Sequence, residues 1–431
     1  MYEPSHRLQP RLLRRLLLLA CALSAGLFFA AGIARAADEI HWTIMGQTAV
    51  TIDWRGSEAT VRYGLTPALG QVATGVEPSP LPFSSAGPFR EARITGLAEN
   101  TLYYYSVGQD GGTFRTPPAR GTADFDVCVA GDVGDSVTYR WVAGVHRQIA
   151  DLVPRFTLLV GDLTYGNAHG QAAVDRHFND MMVWSRNAGY MPAWGNHEWD
   201  SPAQDDLRNY KGRFDLPNPR TSPGSPAVSC CGEDWYWFDY GNARFIAYPE
   251  PWSGAWSAWK TSADSLMAAV KTDPAIQYIV TFGHRPAYSS AHHPGDATLK
   301  GYLDALGLKH PKYVLNLNGH SHDYERTHPQ QGVVHITAGD GGSSHEIDGS
   351  CKWLMCTQPS WSAFRAFRHG PLRLRFTHSG IEGIAMCGPA DPNDDLQCTL
   401  GSTFDSFVIP APVTVADATR PATTTNLTVR P

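Results

Sequence analysis

Short apolar runs recur from residue 124 onward in this chain, and several of them stop at a polar residue of a metal-binding type. Five of these runs are the clearest: Phe125–Ala130, Phe156–Val160, Arg244–Tyr248, Tyr278–Phe282 and Tyr313–Leu317. Such runs are typical of strands that are buried on both faces of a layered α/β fold. Longer, partly helical segments separate them, so we expect an α/β domain over residues 119–408.

The residues that follow these runs locate a candidate site. Four of the runs lead, after one or two residues that end in a glycine, to Asp132, Asp162, His284 and His320. In sheets of this kind, ligands bind at the loops beyond the carboxyl ends of the strands. We therefore expect these four side chains to lie around one site.

Residues 37–118 show a different pattern, in which short alternating strands are separated by glycine and proline turns. The expected strands are Ala49–Trp54, Ala59–Tyr63, Phe89–Ile94 and Thr101–Val107. This pattern predicts a small β-sandwich. The run from Gly96 to Tyr105 resembles the tyrosine-corner strand of fibronectin type III-like modules, and Pro117-Pro118 is a plausible linker.

The two ends of the chain predict export and a tail. Arginines precede an apolar run, Leu16–Ala31, and a small-residue cleavage site ends at Ala36, which is typical of a signal peptide over residues 1–36. The run is shorter than the ~20 residues of a spanning helix, so we expect no membrane span and a periplasmic or secreted protein. Arg14-Arg15 leaves a twin-arginine signal open. Residues 409–431 lack periodicity and predict a flexible tail.

Charge and cysteine content narrow the class of protein further. The formal net charge is −6 and becomes more negative without the arginine-rich segment, so no basic field exists to attract nucleic acid. In an oxidising compartment most cysteines should pair. The short-range candidates are Cys351 with Cys356 and Cys387 with Cys398. Cys128 lies within an apolar strand and is expected to be unpaired.

Five glycine-flanked segments carry residues of the kinds that bind metals. They are Gly131-Asp132-Val133-Gly134, Gly161-Asp162-Leu163-Thr164-Tyr165, Gly195-Asn196-His197-Glu198, Phe282-Gly283-His284-Arg285-Pro286 and Gly319-His320-Ser321-His322. Each alone is more often a turn, a cap or an exposed pair than a site. A glycine lets the backbone turn sharply, so that the next side chain projects from a strand end. The five together, in this order, predict a metal centre.

This ordered set resembles the metallophosphoesterases and, within them, the purple acid phosphatases. Most of the superfamily has a histidine ligand at the place of Gly134, and here Tyr165, three residues after Asp162, compensates for its absence. Further matches are Gly339-Asp340-Gly341-Gly342 and Asp323-Tyr324-Glu325-Arg326. The resemblance implies a four-layer α/β/β/α sandwich, preceded by an all-β, fibronectin type III-like domain similar to that of the long plant-like members.

The resemblance also implies a ligand set and a reaction. One metal would be held by Asp132, Asp162, Tyr165 and His322, and the other by Asp162, Asn196, His284 and His320. Phenolate and carboxylate oxygens suit Fe(III), while imidazole and amide ligands suit divalent Zn, Fe or Mn. The implied enzyme is an acid phosphatase that hydrolyses phosphate monoesters at a binuclear metal centre, by in-line attack of a metal-bound hydroxide.

Three further histidines are candidates for contact with the substrate. His197 lies beside a ligand without being required as one, so we expect it to bind the phosphate and protonate the leaving group; a structural role is its alternative. His292 and His293 are expected to help hold the phosphate. Their spacing after His284 leaves open which of them reaches it, and a solvated loop pair is the competing interpretation.

Two other functions remain open from the sequence. A two-metal centre can catalyse the hydrolysis of phosphate diesters as readily as that of monoesters, so a phosphodiesterase or nucleotide hydrolase is the first alternative. The second is a binding protein whose β-sandwich attaches to a surface while the other half is inert. The motifs specify a class of partner, a small phosphate ester, and no oligomeric state.

Overall fold

The computed structural model describes residues 37–200, 205–226, 232–347 and 356–412. The expected signal peptide, nearly all of the expected tail, Cys351 and the adjacent Cys230 and Cys231 lie outside these residues. Among the described residues, no helix combines the length and the apolar character needed to cross a membrane.

The N-terminal part is a β-sandwich of seven strands in two sheets. The sheets have the orders β1-β2-β5 and β4-β3-β6-β7. The Tyr103 hydroxyl accepts a hydrogen bond at 3.0 Å from the Ala98 backbone N–H, which is the contact of a tyrosine corner. The strands are β1 Ala37–Gly46, β2 Ala49–Gly56, β3 Thr60–Gly64, β4 Gln71–Thr74, β5 Phe89–Ile94, β6 Leu102–Val107 and β7 Asp110–Arg115.

The rest of the chain builds two larger mixed sheets. The first begins with β8 Phe125–Ala130, β9 Phe156–Val160 and β10 Gly189–Ala193, which are parallel, and ends with β18 Leu372–Phe376, β19 Gly380–Met386 and β20 Thr403–Pro410. Its order is β10-β9-β8-β18-β19-β20, and that of the second sheet is β11-β12-β13-β14-β16-β15-β17. The second sheet comprises β11 Trp237–Tyr240, β12 Ala243–Ala247, β13 Tyr278–Phe282, β14 Tyr313–Asn318, β15 Tyr324–Thr327, β16 Val334–Ala338 and β17 Ser362–Ala366.

Aromatic side chains fill the space between these two sheets. The ring of Phe245, on β12, lies 5.3 Å from that of Phe156 on β9 and 5.5 Å from that of Phe376 on β18. One helix pair, Val142–Leu152 with Gln171–Ser185, and another, Ala255–Ala268 with Ala297–Lys309, complete the layers. Short helical turns are Gly166–His169, Asn196–Glu198 and Arg208–Lys211. The fold is the expected four-layer α/β/β/α sandwich behind a β-sandwich.

The β-sandwich packs against the strand and helix that precede Asn196. Strand β1 contacts β10 and the helix Gln171–Ser185. The Nε2 atom of His41, on β1, lies 2.6 Å from the Arg213 carbonyl oxygen. From β6, the Tyr105 hydroxyl donates to the carbonyl of Arg186 at 3.1 Å. The two parts therefore share a buried contact rather than a bare linker.

The strands lie close to the apolar runs of the sequence. The last strand extends slightly past residue 408. Strand β20 continues to Pro410, two residues beyond the expected end of the domain, because Ile409 is buried and pairs with Ile381 of β19. Cys387 and Cys398 form the expected disulfide. Cys128 is buried and unpaired, as expected. Cys356 is also disulfide-bonded.

Candidate metal centre

Parallel strands bring the expected ligands to one end of the two sheets. Asp132 follows β8, Asp162 follows β9 and Asn196 follows β10. His284 and His320 follow β13 and β14 in the facing sheet. Because parallel strands end on the same edge, all of these loops meet in the space between the two sheets.

Four of the expected metal ligands have a backbone conformation in the left-handed region. Asp132, Asp162, Tyr165 and His320 have φ of 54°, 50°, 54° and 73°. This conformation is uncommon for residues other than glycine, and such strain concentrates at functional sites. Gly161 has φ of +88°, and a Cβ there would collide with the ring of His284. The turns are therefore shaped to aim side chains inward.

The first half of the cluster joins Asp132, Tyr165 and His322. The Tyr165 hydroxyl lies 2.9 Å from His322 Nε2 and 3.4 Å from Asp132 Oδ1. His322 Nε2 lies 3.4 Å from the same carboxylate oxygen. The other oxygen, Asp132 Oδ2, accepts the His320 backbone N–H at 2.8 Å. A phenol, an imidazole and a carboxylate thus present three potential ligand atoms to one point.

The second half centres on Asp162. Its Oδ2 lies 3.0 Å from His284 Nε2, and its Oδ1 accepts the backbone N–H of His197 at 2.9 Å. One ligand atom each from Asp162, His284 and His320 lie within 4.8 Å of one another. Apart from this ion pair, His284 Nε2 makes no well-directed hydrogen bond, and Asn196 Oδ1 is buried without a hydrogen-bond partner. Buried polar atoms are seldom left without partners, so both atoms fit a cation as the missing partner.

The histidine rings are oriented by their other nitrogens. His284 Nδ1 lies 3.0 Å from the Val160 carbonyl, and His322 Nδ1 lies 2.7 Å from that of Ser344. A carbonyl can only accept, so in each ring Nδ1 carries the proton and Nε2 faces the cluster. Histidines that bind metals are commonly held in this way.

The charges in the cluster favour cations. Burial raises the pKa of Asp132, whereas at Asp162 the neighbouring histidines, His284 foremost, outweigh burial and hold the pKa well below its usual range. Burial lowers the pKa of His284, but the carboxylates of Asp162 and Asp132 outweigh burial and raise this pKa to about 10. Burial, with Asp132 and Asp162, raises the pKa of the Tyr165 phenol well above its ordinary value. A phenolate at this position therefore requires a strong cation beside it.

His197, His292 and His293 lie at the rim of the cluster. The side chain of His197 is 29% exposed, with its ring 4.5 Å from that of Tyr165 and Nε2 3.9 Å from Asp162 Oδ2. The ring of His293 stacks on that of His320 at 3.9 Å, and His292 packs edge-on against His293 at 4.5 Å. Of the expected pair, His293 is the one in ring contact with His320.

Several supporting residues were not found from the sequence. The buried carboxylate of Glu198 accepts the backbone N–H groups of Asp162, Leu163 and Gly195 at 2.7–2.9 Å. The only available signal was its place in the Gly195–Glu198 segment. Others that no motif indicated are Asn167 beside His197, Ser343 beside Tyr165, and Glu346 beside His293.

Arg285 lies beside His320 at the rim of the cluster. The Arg285 Nη1 atom lies 2.6 Å from His320 Nε2, and its Nε pairs with Glu250 at 3.2 Å. The Glu250 side chain is buried, and its Oε1 has no hydrogen-bond partner. A guanidinium at the rim supplies local positive charge in an otherwise acidic chain.

Comparison with known proteins agrees with this geometry. Residues 125–324 match the family model described as calcineurin-like phosphoesterase. Purple acid phosphatase 21 of Arabidopsis thaliana is 26% identical over 364 residues, which cover 78% of each chain. Acid phosphatase type 7 of Homo sapiens is 26% identical over 407 residues, covering 81% of this chain and 88% of that one. A solved purple acid phosphatase from yellow lupin (Lupinus luteus) seeds shares the fold, with a TM-score of 0.68, 19% identity, and coverage of 91% of this chain and 78% of that chain.

These findings define the class first: residues 125–324 form a calcineurin-like phosphoesterase domain, and the protein is a phosphatase by fold and site. Within that class its relatives are the purple acid phosphatases. This is the family that the exchange between Gly134 and Tyr165 predicts.

Proposed function

We propose that the protein is an acid phosphatase that hydrolyses small phosphate monoesters at a binuclear metal centre. Asp132, Tyr165 and His322 would hold Fe(III), and Asn196, His284 and His320 would hold a divalent Zn, Fe or Mn ion. The carboxylate of Asp162 would bridge the two. Hard oxygen donors and softer nitrogen donors divide between the two ions as their chemistry requires.

One observation carries this proposal, which is a single cluster at the strand ends: side-chain atoms of Asp132, Tyr165 and His322 lie 2.9–3.4 Å apart, and ligand atoms of Asp162, His284 and His320 lie within 4.8 Å of one another. Within it, Asn196 Oδ1 is buried without a hydrogen-bond partner. A complete ligand set also argues against an inert binding protein, which has no need to keep seven such groups together. When bound, two cations of this kind neutralise phosphate oxygens and make a nucleophile available from water.

The chain's own residues supply orientation and a proton. His197 Nδ1 donates a hydrogen bond to Asn167 Oδ1 at 2.8 Å, which fixes the ring. Its Nε2 is left at the open rim of the cluster, where a protonated imidazole can donate to a departing alkoxide. His293 Nε2 lies 3.2 Å from Glu346, which fixes the ring at the rim where a phosphate would bind. His292, edge-on to His293, lines the same rim. We also propose, from residues 1–36, that the protein is exported to the periplasm or medium.

Asp162→Asn tests the proposal, because an amide neither neutralises nor bridges two cations well. We expect loss of binuclear occupancy and of nearly all turnover of an aryl phosphate monoester. The matched control is Asp405→Asn, since Asp405 is also a buried carboxylate and, within the described residues, its side-chain hydrogen bonds are to Tyr324 and Arg326. The measurements are metal content and initial rate on the same samples.

Two results would contradict the proposal. An Asp162→Asn protein with both metals and near-normal rate would show that the ligand assignment is wrong. A wild-type protein that cleaves the matching aryl diester faster than the monoester would instead indicate a phosphodiesterase.

A further inference from the structure

A second buried group of metal-binding side chains lies outside the binuclear centre. It consists of His345, in the loop after β16, His369, between β17 and β18, and Asp391, in the loop after β19. One nitrogen or oxygen from each lies within 4.8 Å of the others, and all three residues are buried. No motif in the sequence indicated this group, and the proposed hydrolysis does not use it.

Both imidazoles are held by Nδ1, as at the binuclear centre. His345 Nδ1 lies 3.2 Å from the His322 carbonyl, and His369 Nδ1 lies 3.3 Å from the Asp340 carbonyl. These carbonyls can only accept, so each Nδ1 carries its proton. In a neutral ring the opposite nitrogen, Nε2, then presents a lone pair.

Each of these Nε2 atoms faces a carboxylate oxygen. His345 Nε2 lies 3.1 Å from Asp394 Oδ1, and His369 Nε2 lies 3.4 Å from Asp391 Oδ2. A lone pair facing a carboxylate is repulsive unless a proton or a metal cation lies between them. A proton on each Nε2, or one cation bound between the rings and the carboxylates, would remove this repulsion.

Two imidazolium ions fit this place poorly. The rings stack at 4.0 Å with an angle of 13° between their planes, so two positive charges would face each other in a buried space. Trp141 covers the other ring face of His369 at 4.8 Å. Burial, the largest cause, lowers the pKa of His369 to about 4. Arg368 pairs with Asp394, so with neutral rings the charge of Asp391 is left unbalanced.

The acidic loop is fixed before any ion binds. The disulfide between Cys387 and Cys398 closes the loop that carries Asp391 and Asp394. Inside it, the Asn393 N–H donates to Asp391 Oδ1 at 2.7 Å, and the Asp391 N–H donates to Asp394 Oδ2 at 2.9 Å. Preorganised donors of this kind favour binding, since little ordering remains to be done.

We propose that His345, His369 and Asp391 bind a zinc ion, with Asp394 as a fourth donor. Two imidazoles and two carboxylates are a donor set that suits tetrahedral zinc. The ion joins three loops that are distant in sequence. Because His345 also contacts the His322 carbonyl, the zinc braces the loop after β16 against the binuclear centre without touching substrate.

The test counts zinc in three full-length proteins, which are wild type, His369→Ala and Asp391→Asn. Each is dialysed against zinc ion alone and then analysed for zinc per chain. We expect both variants to bind one zinc fewer than wild type. This difference does not depend on how many ions the binuclear centre takes up, so it stands even if the proposed phosphatase activity is wrong.

His310→Ala is the matched control. His310 is another buried histidine that contacts a carboxylate, Asp264, at 2.6 Å, but it belongs to no such group. We expect this variant to bind as much zinc as wild type. Asp391→Asn keeps the size and most hydrogen bonds of the native side chain, so it remains informative if His369→Ala fails to fold, as judged by circular dichroism. Equal zinc in wild type and Asp391→Asn, or the same loss in His310→Ala, overturns the proposal.

Discussion

Glu198→Gln is the substitution that best tests how the ligand loops are held. The carboxylate of Glu198 is fully buried and does not enter the proposed ligand set. Its Oε2 accepts the N–H groups of Asp162 and Gly195, at 2.9 and 2.7 Å, and its Oε1 accepts that of Leu163 at 2.8 Å. It therefore joins the turn after β9, which carries Asp162, to the turn after β10, which carries Asn196.

The expected cost follows from these three hydrogen bonds. If the glutamine oxygen replaces Oε2, its NH₂ group must face the Leu163 N–H, donor against donor. An unsatisfied buried donor costs about 1–3 kcal/mol, and the other two bonds lose the roughly twofold strengthening that a charged acceptor gives. We expect a total loss of about 2–4 kcal/mol in the free energy of unfolding, together with the 10–100-fold loss of metal affinity that follows when supporting groups are removed.

The assay combines thermal unfolding with a metal titration. Glu325→Gln is the control, because Glu325 also accepts three hydrogen bonds, from the N–H and hydroxyl of Ser290 and the hydroxyl of Ser362. Glu325 lies on β15, away from the turns of Asp162 and Asn196, so its variant should lose stability but keep the metal affinity. Unchanged metal affinity in Glu198→Gln, or an equal loss in Glu325→Gln, would refute the role given to Glu198.

Three further predictions concern acid catalysis, colour and pH. His197→Ala should keep its metals but lose roughly 10²–10⁴-fold in rate, most for esters of poorly acidic alcohols; a uniform loss across leaving groups would contradict the role as proton donor. Tyr165→Phe should abolish the visible absorption of the iron-loaded protein, because the Fe(III)–phenolate bond is gone, and an unchanged spectrum would disprove ligation by Tyr165. Burial raises the pKa of Asp205 from 3.8 to about 7, so its contribution to stability is complete at pH values below 3.8 and is lost as the pH rises through about 7. Asp205→Asn should therefore flatten the decline in unfolding free energy over that range, by up to about 4 kcal/mol at 1.36 kcal/mol per pKa unit; chemical denaturation at each pH measures it, and an equally steep decline would contradict the prediction.

Much of the fold could be predicted because the strands are buried on both faces. Burial on both faces selects continuous apolar runs, and the expected runs at β8, β9 and β13 match the observed strands. The candidate ligands were found for a related reason, since they follow these runs at once. Local sequence carries both signals.

The supporting contacts could not be predicted because they depend on distant segments. His345, His369 and Asp391 lie in three separate loops, and nothing near any one of them indicates the other two. Arg285 is similar, since its contact with His320 depends on the pairing of β13 with β14. Such groups come together only through the register of the sheets and the closure of the loops.

Gly134 stands where most of the superfamily has a histidine, and this difference has a steric basis as well as a chemical one. Gly134 has φ of +83°, and a Cβ at this position would collide with the ring of Tyr139. That ring packs edge-on against Tyr165 at 5.6 Å, and its hydroxyl lies 3.0 Å from His169 Nε2. A histidine at position 134 would therefore have to displace the ring that packs beside Tyr165. Gly134, Tyr139 and Tyr165 form one packing unit, so the glycine and the proposed tyrosine ligand belong to a single structural arrangement.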